Sequence, residues 1–346
     1  MRRICQVFIL LMMAVTAVSS APAAIAVAAS GRPIWTLARP VTGHFRVKAT
    51  VPVGRRPFGI AADPRTKRIY VAGLGSRMVS VINGRTDTVV ARVRVGRVPA
   101  GVATDPRTNT IYVASERSDS VSVISGRTDT VAATIRVGRF PYGIATDPRT
   151  GMIYVADLRG GTISVISGRT NTVVARVRVG RFPVGVATDP RTDRIYVTLD
   201  SNRVAVINGR TNTVVARVRV PFRSTLAVAA NPRTNTIYAT NPRGREIAVI
   251  SGRTDTTVAT IHGGFQAAFG IAVDPRTNTI YLPDGAYQTW VISGRTDTVV
   301  TTVRVGSEPL GVATDPQAKT IYVTNNGDNT VTVLTSCRGR AAARCR

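Results

Sequence analysis

Twelve arginines stand at two fixed places in a repeating frame, and the guanidinium fork is the side chain best suited to gripping carboxylate or phosphate with two hydrogen bonds. One set, Arg65, Arg107, Arg149, Arg191, Arg233 and Arg276, follows an Asp-Pro or Asn-Pro pair, and the other, Arg85, Arg127, Arg169, Arg210, Arg253 and Arg295, follows a Ser-Gly or Asn-Gly pair. If the frame brings both sets to one surface, they form two concentric rings for anionic polymers. The alternative is structural: each arginine pairs with a turn aspartate such as Asp105 or Asp129, or lays its stem over apolar surface. Nucleic acid is not the expected anion, because few aromatic residues accompany the arginines for base stacking.

A second group is acidic: Glu116, Asp119, Asp157, Asp200, Glu246, Asp284 and Asp328. Three places after a recurring tyrosine stand Ser115, Asp157, Asn241, Asp284 and Asn325, a polar ring in the making. Carboxylate and amide oxygens are the donors that calcium or magnesium takes, with Asp157 and Asp284 as the candidates, but the same residues can cap their own turns. Arg97, Arg139 and Arg181, close to Phe58, Phe140, Tyr142 and Phe182, complete a second potential ligand surface. For catalysis the chain offers little. Histidine occurs only at 44 and 262, and no phosphate-cradling glycine loop, serine elbow or cysteine cluster is present. The expectation is a non-catalytic protein without a cofactor.

The elements that must position these residues follow from the tyrosines at 70, 112, 154, 196, 238, 281 and 322, spaced by 42, 42, 42, 42, 43 and 41. A period of ~40–50 residues holding four short strands describes a propeller blade. In the second copy, Ala100 to Thr104 reads as the first strand and Thr110 to Ala114 as the second. Ser120 to Ile124 is the third and Thr130 to Val137 the fourth. Asp105-Pro106 sets a type I turn between the first two. The first strand opens with Gly59, Gly101, Gly143, Gly185, Ala227, Gly270 or Gly311, so it belongs innermost, where seven strands converge. The fourth alternates, with Arg92 and Arg94 pointing away from an apolar face, as an outermost strand should. The seventh copy stops after its third strand, and 44–53 supplies the missing fourth. The expected fold is all-β, a seven-bladed propeller of four-stranded antiparallel blades over 44–335, with its ring closed by the N-terminal strand.

The formal charge of +27 comes from 46 Lys and Arg against 19 Asp and Glu, which favours anionic partners in a salt-dependent way. Residues 1–28 read as an export signal with Arg2-Arg3, an apolar run from Val7 to Val15 and a small-residue cleavage site at Ala26-Val27-Ala28. Retention as an anchor is the alternative; after cleavage no membrane span is expected. A linker over 29–43 and a basic tail over 336–346 flank the propeller. In an oxidising compartment, Cys337 and Cys345 of that tail would form a local disulfide. Two free thiols are the other reading.

The seventh copy contains Tyr322-Val323-Thr324-Asn325, and several copies carry versions of VISGRTNTVVARVRVG, PVGVATDPRT and IYVT. This wording resembles the YVTN-family β-propeller repeat proteins over about residues 45–335. The resemblance implies a seven-bladed, usually exported or surface-located propeller, in most members without a defined activity. Related propellers include streptogramin B lyases and lactonases, so a lyase- or lactonase-like enzyme with a divalent cation at the channel mouth is the alternative. The first expectation is a secreted or cell-envelope scaffold, monomeric, for an anionic cell-envelope polymer or a partner protein.

Overall fold

The computed structural model describes residues 44–242 and 245–337, with no side-chain description at His44 or Cys337. The leader, the linker and Cys345 lie outside the described residues. Seven four-stranded antiparallel sheets carry the chain, six of them in simple sequence order. In the second blade the strands are Pro99–Asp105, Thr110–Ser115, Ser120–Ser125 and Thr130–Arg136, within a residue or two of the expected bounds. The seventh sheet has the order expected for ring closure: His44–Pro52 lies outside Thr330–Cys337, followed by Thr320–Asn325 and Pro309–Asp315. Its third strand therefore runs to Cys337, two residues past the expected end of the propeller at 335.

The two small positions of the inner strand have separate causes. Ala61, Ala103, Ala145, Ala187, Ala229, Ala272 and Ala313 each sit opposite the marker tyrosine of their own blade. Alanine there leaves room for a buried ring. The glycines answer to the neighbouring blade rather than to crowding on the axis. A Cβ on Gly143 would lie 2.1 Å from the Val184 carbonyl oxygen, and one on Gly311 would lie 2.1 Å from that of Phe58. Both values are far inside van der Waals contact, so these glycines let inner-strand backbones abut. Threonine hydroxyls tie the same seam, with Thr146 donating to the Thr104 carbonyl and Thr188 to that of Thr146, both at 2.8 Å. Ala227 is tolerated because the inner strands of blades five and six are cut to Val228–Asn231 and Ala272–Asp274.

The outer strands carry a feature that plain alternation does not describe. In each one residue is skipped in the ladder: Lys48, Val90, Ala132, Val174, Val215, Val258 or Val300. The bulge moves the next apolar residue onto the packed face and leaves Val90, Val174 and Val258 exposed. Bulges with exposed arginines such as Arg92, Arg94, Arg176 and Arg178 beside them blunt edges that would otherwise template pairing with another sheet.

Candidate functional site

The arginine rings share one face. The turns that carry them touch within each blade, as when Gly126 N–H donates to the Asn109 carbonyl at 2.8 Å. All twelve ring arginines are exposed. Their turn aspartates are occupied by backbone: Asp63, Asp105, Asp147, Asp189 and Asp274 each accept the N–H of the arginine two residues on, at 2.8–3.0 Å. These are the side-chain caps that an Asp-Pro turn calls for.

Four carboxylates of this face pair with cations outside the rings. Asp129 pairs with Arg68, Asp255 with Arg194 at 3.4 Å, Asp315 with Lys67 at 3.4 Å and Asp87 with Lys48 at 2.8 Å. Among the described residues only Arg149 of the twelve reaches a carboxylate, that of Asp193 at 3.2 Å. The suggested general pairing of ring arginines with Asp105 or Asp129 is thus absent: those acids take a backbone amide and Arg68 instead. Three ring arginines reach the next blade through neutral carbonyls. Arg107 donates to the Pro148 oxygen at 2.6 Å, Arg149 to that of Pro190 at 2.7 Å and Arg191 to that of Pro232 at 3.1 Å. Such bonds position a guanidinium without cancelling its charge.

The opposite face holds the acidic set, and there the structure separates the metal candidates. Asp157 is fully buried in blade three, accepting from Gly138 N–H at 3.0 Å and from the Thr162 and Ser164 hydroxyls at 2.8 Å. Burial pushes its carboxyl above the usual range, while these three hydrogen bonds and Arg176 pull it back. Asp284, buried in blade six, accepts from Ala286 N–H, Gln288 Nε2 and the Trp290 indole. Asn325 repeats the Asp157 pattern, accepting from Gly306 N–H and donating to Thr330 and Thr332. These residues latch their own loops, and no group of three or more His, Cys, Asp or Glu suited to a metal ion occurs among the described residues.

The other candidates of this face sit apart. Asn241 is buried and bonds the Glu246 carboxylate at 3.4 Å. Asp200 is exposed and accepts from Ser224 at 3.0 Å, and Arg97, Arg139 and Arg181 are exposed on the junction loops. Ser115, Asp157, Asn241, Asp284 and Asn325, the residues of the expected polar ring, are all buried. Second in their inner strands stand Phe58, Ala100, Tyr142, Val184 and Leu310, and the Phe58 and Tyr142 rings meet at 5.6 Å across the intervening blade. One histidine–carboxylate contact escaped sequence reading: His262 Nδ1 lies 3.9 Å from Glu246, its cross-strand partner sixteen residues away. Only the strand register makes them neighbours.

Glu116, in a short 3₁₀ turn, is the titratable group of this face with the largest consequence. Burial pushes its carboxyl from the ordinary 4.5 up to about 7, against the opposing pull of Arg117 and Arg159. The folded protein therefore holds a proton that the unfolded chain has released between those two values. Stability from this group is full below pH 4.5 and falls as pH rises to about 7, a loss on the order of 3 kcal/mol. Glu116→Gln is expected to match wild type at pH 4 and to melt higher at pH 8, as thermal unfolding at the two pH values will register. Equal melting at pH 8 would contradict the assignment.

Fold and seams together define a seven-bladed β-propeller. Among solved structures the chain is similar to hydrazine synthase of Kuenenia stuttgartiensis, with a TM-score of 0.73 and 21% identity over 80% of this chain and 95% of that one. That likeness is one of fold. No protein-family model matches the chain, and no curated protein matches it either.

Proposed function

We propose that the protein is an exported, non-catalytic β-propeller scaffold of the YVTN type that holds an anionic polymer of the cell envelope on its arginine face. The observation that carries this reading is the imbalance of that face: twelve exposed guanidiniums, one of them in an ion pair among the described residues. An unpaired surface arginine loses little by releasing water to a phosphate or carboxylate, and a ring of them keeps a flexible polyanion bound through many weak contacts. A partner protein with an acidic surface is the same chemistry in another form.

Polyphosphate and poly-glutamate serve as probes. Binding to either should weaken steeply between low and high salt, with log K falling linearly in log salt concentration. Replacing Arg127, Arg169 and Arg210 together by alanine should weaken it by roughly tenfold or more. The same number of changes on the outer strands, at Arg92, Arg176 and Arg217, should have a smaller effect. Equal losses from both triple variants, or no binding at low salt, would overturn the reading.

A further inference from the structure

Side-chain acceptors latch the loops of the opposite face at some blade junctions and not at others. Leaving blade two, Phe140 N–H donates to Asp119 Oδ1 at 2.8 Å, and leaving blade seven, Arg56 N–H donates to Asn329 Oδ1 at 2.7 Å. Asp119 and Asn329 occupy the same place, seven residues after the marker tyrosine. Blade three has Gly161 there, with no side chain to offer, and the corresponding amide, that of Phe182, has no acceptor among the described residues. The preceding amide, Arg181 N–H, is also without one, whereas at that place Arg97 N–H donates to Ser118 Oγ at 2.8 Å and Ser307 N–H to Asp328 Oδ2 at 2.6 Å. A second loss accompanies the first. Blade four carries Leu199 where blades three and seven carry the latches Asp157 and Asn325, and Gly180 turns to φ 131, a conformation favouring glycine.

The space left is an open cleft of about 290 Å³, lined by Gly161, Phe182 and the guanidinium-bearing Arg159, Arg178 and Arg181. Arg178 and Arg181 are exposed and form no ion pair among the described residues. Arg181 lies over the Phe182 ring at 5.4 Å and Arg159 over that of Phe140 at 4.6 Å, so aromatic faces hold two of the cations in place. The adjoining acid Asp157 spends its carboxylate on Gly138 N–H and the Thr162 and Ser164 hydroxyls, and Asp200 is bonded to Ser224 through its carboxylate and donates its own N–H to the Phe182 carbonyl at 3.1 Å. Two successive free amides at a residue with φ 52 form the kind of concavity that takes an anion.

We infer that this cleft at the junction of blades three and four binds the carboxylate of a small ligand or of an acidic chain end, in the place that Asp119 and Asn329 fill elsewhere with the protein's own oxygens. The Phe182 and Arg181 amides receive the carboxylate, Arg178 and Arg181 neutralise it, and Phe182 offers a flat apolar wall to whatever the carboxylate is attached to. The inference does not depend on the polymer-binding face, which lies at the other end of the blades.

Amide NMR of the full chain, titrated with sodium acetate and sodium benzoate at ionic strength matched by chloride, tests it. A saturable shift of the Phe182 amide is expected, tighter for benzoate. Arg181→Ala and Arg178→Ala should each weaken it by roughly tenfold. Gly161→Asn should abolish it by supplying an internal acceptor, as at Asn329. Since a Cβ on Gly161 would lie 2.9 Å from the Gly180 oxygen, that variant also shifts the loop, and the arginine variants decide independently. No saturable shift, or one that survives both arginine variants, overturns the site; a response to sulfate alone overturns the assignment to carboxylate.

Discussion

Deleting residues 44–53 from the full chain is expected to abolish the cooperative unfolding transition and the soluble product. His44–Pro52 makes eight register pairs with the third strand of the seventh blade, from His44 opposite Cys337 to Pro52 opposite Thr330. Val51 is buried with Val331 and Val333 in the cluster that spans the seam to blade one. Two further ties depend on the segment's position: Val53 N–H donates to the Asn329 carbonyl at 2.9 Å, and Lys48 pairs with Asp87 of the first blade at 2.8 Å. Repeat arrays are held by neighbour interfaces, so a ring that loses the outer strand of one blade uncovers a sheet edge and apolar surface together. With net stabilities of only about 5–15 kcal/mol, the loss of a whole strand is enough to unfold the chain. The measurement is thermal and urea unfolding of the deletion beside wild type. A single transition at the wild-type midpoint would show that the ring holds without its closing strand.

The second large effect concerns the seam between blades. Gly143→Ala places a methyl group 2.1 Å from the Val184 oxygen and 3.2 Å from the Gly185 Cα, both backbone atoms that cannot rotate away. The only relief is to separate two inner strands that share the Thr188-to-Thr146 hydrogen bond. A cost of about 3 kcal/mol or more is expected, in the upper range of single substitutions, and Gly143→Val should fail to fold. Gly151→Asn is the control: nothing lies within 4 Å of its Cβ, and its left-handed backbone matches Asn109 and Asn235 at the same turn position. That change should stay within about 0.5 kcal/mol of wild type. If urea unfolding gave Gly143→Ala and Gly151→Asn the same midpoint, the seam would not be the constraint proposed.

Much of this architecture is legible in the sequence because a propeller writes its strands locally. Asp105-Pro106 announces a turn through the Asx bond it will make, and the alternation after Thr130 announces a half-exposed strand. The recurring Ile-Tyr pair marks the phase. Closure by 44–53 was readable for the same reason, since one copy lacked a strand and another segment matched it. The outer-strand bulges were harder. The doubled valine of Thr88-Val89-Val90-Ala91 breaks the alternation, and that break was their only trace.

The charge pairing of the arginine face was less legible because its partners come from other blades. Asp129 meets Arg68, sixty-one residues away, and no turn pattern within one repeat names that partner. Asp157 is a different case: its partners Gly138, Thr162 and Ser164 are near in sequence, and the strand register turns them toward its oxygens. Sequence alone determined the twelve arginines, their spacing, the number of blades and the face each turn occupies, since these follow from short-range hydrogen bonding and the period of the chain. Tertiary structure decided which charges remain unspent, why glycine stands at 143 and where a latch is missing beside Phe182. Those outcomes depend on contacts between blades, and the packing of one backbone against another is not written in either strand by itself.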